Sequence, residues 1–471
     1  MAPVLENEVG ATHRPAESFI ALPGREVRKS LRVRFVTLGC KVNQYETQGM
    51  REALAGAGIE ESSDLGKPCD FVVINTCTVT DKADKENHYW IRRARREHPF
   101  AKLIVTGCYV ERDHLRLAED SGVDLIIPNS KKSVIADYLT PARIDSLSQV
   151  NAGNLKIRAL LQSGNPRHTY CSLPVSRSDG RTRGYIKVQD GCNHACSFCK
   201  VVLVRGRSRS RPIADIVDEA KRLRDAGYRE VVFTGIQLGA YGMDFDKKQS
   251  LVDILESCAA IEGLDRLRIS SMEPMDVQEQ LIAALRDIPK CCHHLHIPLQ
   301  SGDNEILKRM NRRYDRSFYM DLVTRLKSMM PDFSLTLDVM AGFPGEEEPH
   351  FQNTVQLLHK VRPLKCHVFP YSRREGTRAA RWQECPRAEM LRRVRRLLEI
   401  GHRLGAQERQ SYVGRTLPVL VETKIVGRGV VQGLTANYLK VRFQGGPDLM
   451  GQIVPVRLTS LNGDTLSGTL D

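Results

Sequence analysis

Residues 183–199 read RGYIKVQDGCNHACSFC, and the fold turns on this stretch. A short strand pattern runs straight into three cysteines, Cys192, Cys196 and Cys199, spaced C-x3-C-x2-C. Thiolates spaced this tightly on a loop can wrap one face of a [4Fe–4S] cube and leave its fourth iron without a protein ligand. A zinc site completed by a distant ligand such as His194 is the competing arrangement. Zinc sites usually pair their cysteines in separate knuckles, so a compact triplet fits that arrangement poorly.

Downstream, a strand–helix rhythm repeats six times, with strands at RGYIKVQDGC, EVVFTGIQL, RLRISSMEP, HHLHIPLQ, SLTLDVMAGFPG and KCHVFPYS. Six successive βα units predict an incomplete (β/α)6 barrel over residues 181–404, with catalytic groups at the C-terminal strand ends. The helix LRRVRRLLEIGHRLGAQERQSY then leads into residues 405–471, where short strands are broken by glycines. That pattern predicts a small OB-like β-barrel.

Upstream, over residues 31–140, the buried runs RVRFVTLGC, DFVVINTC, AKLIVTGC and VDLIIPN alternate with helical stretches. Continuous apolar runs of this kind predict parallel strands in an open, doubly wound sheet. The fold class is therefore α/β throughout the first two domains. Residues 141–180 are polar with little periodicity and are expected to be a connector. Residues 1–30 carry Glu6, Glu8 and Glu17 and no apolar signal core, so they are expected to be a flexible N-terminal extension.

Cys40, Cys77 and Cys108 lie far apart, with 36 and 30 residues between them. Their contexts connect them, because VTLGC, INTC and VTGC each end a proposed parallel strand. In a doubly wound sheet the C-terminal ends of neighbouring strands open on one crevice, where three thiols could meet and hold a second cluster. Three independent core cysteines are the alternative.

No apolar stretch reaches the length of a membrane span, and the chain is expected in the cytoplasm, without a membrane partner. Thiols are kept reduced there, so the thirteen cysteines are read as metal ligands or core residues and not as a disulfide framework. A net charge of +14 with pI near 9.2 points to a polyanionic partner without separating RNA, DNA and anionic membrane.

An open iron can chelate the amino and carboxylate groups of S-adenosylmethionine, and one electron then releases a 5′-deoxyadenosyl radical. Here the chain resembles the radical S-adenosylmethionine superfamily, whose triplet ends the first barrel strand. The strand ends TGIQLG and DVMAGFPGE resemble its cofactor-cradling segments, with Gly235 and Gly342 as the positions of close backbone approach. LGCKVNQYET, NTCTVT, TGCYVER, HIPLQSGDNEILKRMNRRY and FPYSRREGT extend the likeness to the methylthiotransferase family, over nearly the whole chain from residue 31. That resemblance implies two [4Fe–4S] clusters, on Cys40, Cys77 and Cys108 and on Cys192, Cys196 and Cys199, and a C-terminal TRAM domain that binds RNA. It also implies an electron donor such as flavodoxin or ferredoxin with its reductase, and a sulfur donor.

Within the family, LGCKVNQYET resembles the branch that methylthiolates N6-threonylcarbamoyladenosine at position 37 of tRNA. Branches acting on isopentenyladenosine-37, or on an aspartate of a ribosomal protein, are the alternatives. Lys200, Val202 and Ser208 depart from the family pattern in KVVLVRGRSRSR.

Four further groups attract notice. Arg205, Arg207, Arg209 and Arg211 alternate beside the triplet and could hold phosphate, a cofactor carboxylate or neighbouring acids. RRARR, from Arg92 to Arg96, is either a binding face or a solvated helix face. Cys291, Cys292, His293, His294 and His296 cannot converge on one ion from a strand, so core packing is expected. Tyr438, Lys440 and Arg442, beside Lys424 and Arg428, suit RNA stacking and phosphate contact or a solvated edge strand.

Overall fold

The computed structural model describes residues 31–62, 68–119, 122–139, 170–178, 180–422 and 429–471. The expected N-terminal extension, most of the expected connector, and Lys424 and Arg428 lie outside the described residues. The chain divides into two compact units, residues up to 166 save Val79–Asp81, and those three with residues from 167 onward.

In the first unit, strands β1 (Leu31–Thr37), β2 (Ile59–Glu61), β3 (Phe71–Thr76), β4 (Lys102–Gly107) and β5 (Leu125–Ile127) form one parallel sheet in the order β2-β1-β3-β4-β5. Every residue of β3 is buried, as a central strand covered on both faces requires. Helices α1 (Lys41–Gly56), α2 (Asp81–Glu97) and α3 (Val110–Glu119) follow β1, β3 and β4. The strand order reverses between β1 and β3, and a doubly wound sheet opens its crevice at such a point.

In the second unit, β6 (Gly184–Lys187) is followed by the short pair β7 (Gln189–Asp190) and β8 (Arg209–Ser210). Next come β9 (Glu230–Thr234), β10 (Arg266–Ile269), β11 (His294–His296), β12 (Ser334–Ala341) and β13 (Lys365–Pro370). The parallel sets β6-β9-β10 and β11-β12-β13 are joined by the bridges Leu267–Cys291 and Ser271–His296. Six strands thus run in chain order around an incomplete barrel. Leu335, Leu337, Val339 and Ala341 alternate along β12 into a fully buried layer, packed in one core with helical residues such as Leu357 and Leu397. Three of the helices start on side-chain caps: Ser250 with Asp253 forms a capping box, and Asp303 and Asp315 accept from the first free backbone N–H groups.

Strands β14 (Thr416–Val421), β15 (Val430–Thr435), β16 (Lys440–Gln444), β17 (Ile453–Asn462) and β18 (Thr465–Leu470) close into a five-stranded barrel. Closure removes the exposed sheet edges that such short strands would otherwise present. Among the described residues no helix is long and apolar enough to cross a membrane. Part of the expected connector belongs to the packing of the second unit. Tyr170 donates its hydroxyl to the Lys187 carbonyl at 2.7 Å, and the Val175 N–H reaches Glu219 at 3.3 Å.

Candidate active site

The radical-type loop leaves β7 through Gly191, whose φ is +75° and where a Cβ would stand 2.0 Å from the Arg207 carbonyl oxygen. Asp190 gathers the cations around it: Lys187 at 2.7 Å, Arg205 at 3.1 Å and Arg209 at 3.6 Å. Arg211 pairs with buried Glu219 at 2.8 Å. Three of the four alternating arginines therefore fix the loop's own frame, and Arg207 is exposed. Ser208, one of the departures from the family pattern, accepts from Gln189 Nε2 at 2.8 Å. Lys200 is buried at the start of the short helix Val201–Arg205, and Val202 is half-buried within it.

Residues distant in sequence clamp the three cysteines. The Ser197 N–H donates to the Met310 carbonyl at 3.0 Å, and Ser197 accepts from the Ala379 N–H at 2.8 Å. Asn311 Nδ2 holds the Ala195 carbonyl at 2.8 Å, and Gln237 Oε1 takes the Asn193 N–H at 2.9 Å. Each sulfur has a donor aimed at it: the His194 N–H at 3.3 Å from Cys192 Sγ, the Val201 N–H at 3.4 Å from Cys199 Sγ, and Arg312 Nη1 at 3.4 Å from Cys196 Sγ. Arg312 is itself held by Glu273 at 2.9 Å.

Burial pushes the Cys192 thiol up to about 12, with the Cys199 and Cys196 sulfurs adding to the rise against the His194 N–H. Burial likewise pushes Cys199 up to about 11, and Cys196 adds to it. Cys192 and Cys199 are thus thiols at neutral pH, and a cluster bound there must displace their protons.

Among the described residues, no three His, Cys, Asp or Glu side chains converge as ligands to one ion do. Thiolates that each bind a different iron of a cube stand farther apart, so the loop suits a cluster better than zinc. Among the described residues, buried His194 Nε2, Ser197 Oγ, Arg312 Nη2 and Tyr371 Oη have no hydrogen-bond partner. Orphaned polar atoms on the cysteine loop and the strand-end segments that follow β11 and β13 suit a polar, charged cofactor such as S-adenosylmethionine.

Gly235 and Gly342 stand at the ends of β9 and β12. The chain itself accounts for the missing side chain at both: Gly235 abuts Gln189 and Leu238, and Gly342, with φ +73°, abuts Met390.

In the first unit, strand register aligns the other trio. Thr76 lies beside Gly107 across β3 and β4, which sets Cys77 next to Cys108, and the Cys108 N–H bonds the Thr76 carbonyl at 3.1 Å. Gly39, with φ +92°, lies so close to Cys77 that a Cβ there would stand 2.5 Å from its Sγ. Cys40 is exposed, while Cys77 and Cys108 are buried. The conspicuous polar residues of LGCKVNQYET mainly build this corner. Asn43 Nδ2 ties the Leu38 and Thr76 carbonyls at 2.8 Å each, and Asn75 Nδ2 returns to the Asn43 carbonyl at 2.9 Å. Glu46 pairs with fully buried Lys132 at 2.5 Å. The sequence reading passed over Lys132, because a lysine in a polar stretch carries no burial signal.

In the histidine run Cys291, Cys292 and His294 are buried, while His293 and His296 are half-buried. His294 Nε2 and His296 Nδ1 both meet Thr336 Oγ1 at 3.0 Å. Tyr438 corrects an expectation. It lies in a left-handed turn with φ +70°, ahead of β16, and stacks on His294 with centroids 4.3 Å apart. The Arg268 and Arg183 guanidiniums lie 5.1 and 5.7 Å from its ring centroid. This half-buried ring is therefore committed to the (β/α) barrel and is not presented along a strand beside Lys440 and Arg442. Arg266 and Arg268 donate to the carbonyls of Leu434, Pro418, Thr435 and Ala436, so the small barrel seals the N-terminal strand ends, opposite the cysteine loop.

Family models match in three blocks: the uncharacterized protein family UPF0004 over residues 32–128, the radical SAM superfamily over 186–358 and the TRAM domain over 410–470. The chain is 36% identical over 430 residues to the threonylcarbamoyladenosine tRNA methylthiotransferase MtaB of Bacillus subtilis, covering 90% of this chain and 93% of that one. It is 31% identical to the tRNA-2-methylthio-N(6)-dimethylallyladenosine synthase of Acetivibrio thermocellus, over 92% and 90% of the two chains. Among solved structures, the radical S-adenosylmethionine methyltransferase TsrM from Kitasatospora setae shares the fold, with a TM-score of 0.53 at 16% identity over 72% of this chain and 73% of that one. Matched over about nine-tenths of its length to these two methylthio-transferring relatives at 31–36% identity, this protein belongs to the radical S-adenosylmethionine methylthiotransferase family.

Proposed function

We propose that the chain attaches a methylthio group to C2 of N6-threonylcarbamoyladenosine at position 37 of tRNA. The observation that carries this reading is the 35–36% identity to threonylcarbamoyladenosine tRNA methylthiotransferases from three bacteria, over nine-tenths of both chains or more. The dimethylallyladenosine synthases, at 30–31%, support isopentenyladenosine-37 as the second reading.

Cys192, Cys196 and Cys199 would hold a [4Fe–4S] cluster that, with S-adenosylmethionine, supplies a 5′-deoxyadenosyl radical for hydrogen abstraction. Arg312 sets a fixed positive charge beside Cys196, and the His194 and Val201 N–H groups point at the other two sulfurs. These donors favour the thiolate forms that ligation needs. Gly235 and Gly342 place backbone without side chains at the rim where the cofactor would lie. Cys40, Cys77 and Cys108 would hold a second [4Fe–4S] cluster carrying the sulfur to be transferred. An electron donor of the flavodoxin or ferredoxin kind and a sulfur donor complete the reaction.

The test offers reconstituted enzyme tRNA bearing threonylcarbamoyladenosine, tRNA bearing isopentenyladenosine, and the ribosomal protein, each in turn, with nucleoside and peptide mass spectrometry as readout. Methylthio product is expected from the first alone. Product from the second alone would move the chain to the dimethylallyl branch. Product from the ribosomal protein alone would overturn an RNA substrate.

A further inference from the structure

We propose that the outer face of α2 is a docking surface for the phosphate backbone of the tRNA substrate; this rests on the tRNA reading above. Lys82, Lys85, Tyr89, Arg92 and Arg96 recur at spacings of three and four residues. At about 100° per residue they fall within an arc of about 80°, along roughly 21 Å of helix. All five are exposed; Glu86 at the margin of the stripe pairs with Lys82 at 3.7 Å, which leaves the Arg92 and Arg96 end free of acidic partners among the described residues. The opposite face is the buried one, carrying Asn87, Ile91 and Ala94.

The arginines of RRARR divide into two pairs. Arg95 bonds the carbonyls of Pro99, Ala101 and Gly122 and the Asp124 carboxylate, and Arg93 bonds Glu97 at 2.7 Å while lying 4.7 Å from the Trp90 ring centroid. These two serve the fold. Arg92 and Arg96 have no acceptor among the described residues, and they stand at i and i+4, where like charges repel and cost helix stability. A helix needing only solubility gains nothing from that pair, whereas a polyanion lying across it would neutralise both charges.

Tyr89 is 51% exposed in the middle of the stripe, and Phe100, just past the helix end, is 98% exposed. Basic side chains interleaved with an exposed aromatic suit single-stranded nucleic acid, where bases stack as phosphates pair. An anionic membrane would instead meet a broad apolar face, which this stripe lacks. With Tyr438 half-buried and stacked on His294, α2 offers a more exposed ring than the C-terminal barrel does at that position.

The experiment uses the full-length, cluster-loaded enzyme and measures tRNA affinity by filter retention across a potassium chloride series. Each lost phosphate contact should reduce the slope of log affinity against log salt by about 0.7–0.9. The Arg92→Ala/Arg96→Ala double variant should therefore lose about 1.4–1.8 of slope, with KM for tRNA raised and kcat unchanged. Tyr89→Ala should weaken binding at least about fivefold with the slope intact. Arg92→Lys/Arg96→Lys should restore the slope, since a phosphate needs only the charge. A slope unchanged in the alanine variant, or lost equally in the lysine variant, overturns the surface. If that happens while wild-type enzyme still makes the methylthio product on tRNA, the surface fails and the tRNA reading stands. If wild-type enzyme neither binds tRNA nor modifies it, both fail.

Discussion

The two cysteine trios are built by opposite means. Cys192, Cys196 and Cys199 sit on one eight-residue loop, so sequence spacing brings them together, and residues from 237, 310–312 and 379 hold the loop in shape. Cys40, Cys77 and Cys108 are far apart in sequence: strand register sets Cys77 beside Cys108, Gly39 packs on Cys77, and Asn43 and Asn87 tie this corner. One site is local in sequence, and the other is assembled across neighbouring strands of the sheet. The spacing rule that finds the first cannot find the second.

Exchanging the trios for alanine tests the division of labour with the largest expected effect. Reconstituted enzyme should hold about eight irons, two four-iron clusters. Cys192→Ala, Cys196→Ala and Cys199→Ala together should remove about half of that iron and abolish 5′-deoxyadenosine formation. The same change at Cys40, Cys77 and Cys108 should remove the other half, leave cofactor cleavage working and stop methylthio transfer. Methylthio product from the second variant would end the sulfur-carrier role of the N-terminal trio.

The next effect concerns what each trio stands on. Under the barrel, Glu230 is fully buried with Arg268 at 2.6 Å, Arg266 at 3.7 Å and Arg183 at 3.9 Å. Burial alone would raise its carboxyl, but the Arg268, Arg183 and Arg266 guanidiniums outweigh it and hold Glu230 below the usual range. Under the N-terminal sheet the corresponding pair is Lys132 with Glu46. Breaking a buried pair from one side costs about 3–5 kcal/mol. Glu230→Gln should lower the barrel's melting temperature and shed the barrel iron first, and Lys132→Met should shed the N-terminal iron first. A depressed folded pKa means the Glu230 contribution is complete above the unfolded value, about 4.3, and is lost as pH falls below it. The Glu230→Gln deficit measured by denaturation should thus be full at pH 7 and shrink only below about pH 4.3. A deficit that already shrinks between pH 7 and 5 would assign the titration to another group.

In this architecture the small barrel of residues 405–471 is packed onto the (β/α) barrel. Removing them would strip Arg266 and Arg268 of four carbonyl acceptors and leave both guanidiniums under the barrel without them. Such a loss is legible only in three dimensions. Repeated βα rhythm and glycine-broken short strands announce the barrels from sequence, because periodicity is a property of neighbours along the chain. The docking of one barrel beneath another depends on Arg266, Arg268, Ser334 and Tyr438, which look like ordinary strand and turn residues. Asp190 was missed for the same reason: a single acid beside a cysteine loop gives no sign that it will collect three cations.

The smallest effect separates the trios most finely, because it compares one asparagine at each. Asn87 Nδ2 donates to the Cys77 carbonyl at 2.6 Å, and Asn87 Oδ1 accepts the Cys77 N–H at 3.3 Å, both buried. Asn311 Nδ2 makes one bond to the Ala195 carbonyl at 2.8 Å, at an exposed site. Removing a buried partner strands backbone groups away from water and costs about 1–3 kcal/mol, whereas an exposed bond is replaced by water at a net cost near 0.5–1.5 kcal/mol. Asn87→Ala should therefore speed iron loss from the N-terminal cluster under chelator challenge, while Asn311→Ala leaves the barrel cluster nearly as long-lived as before. The redundancy at the loop, where Met310, Ala379 and Gln237 remain in place, works in the same direction. If Asn311→Ala sheds iron faster than Asn87→Ala, the long-range clamp is weaker than the register-built corner, and the contrast between the two trios is reversed.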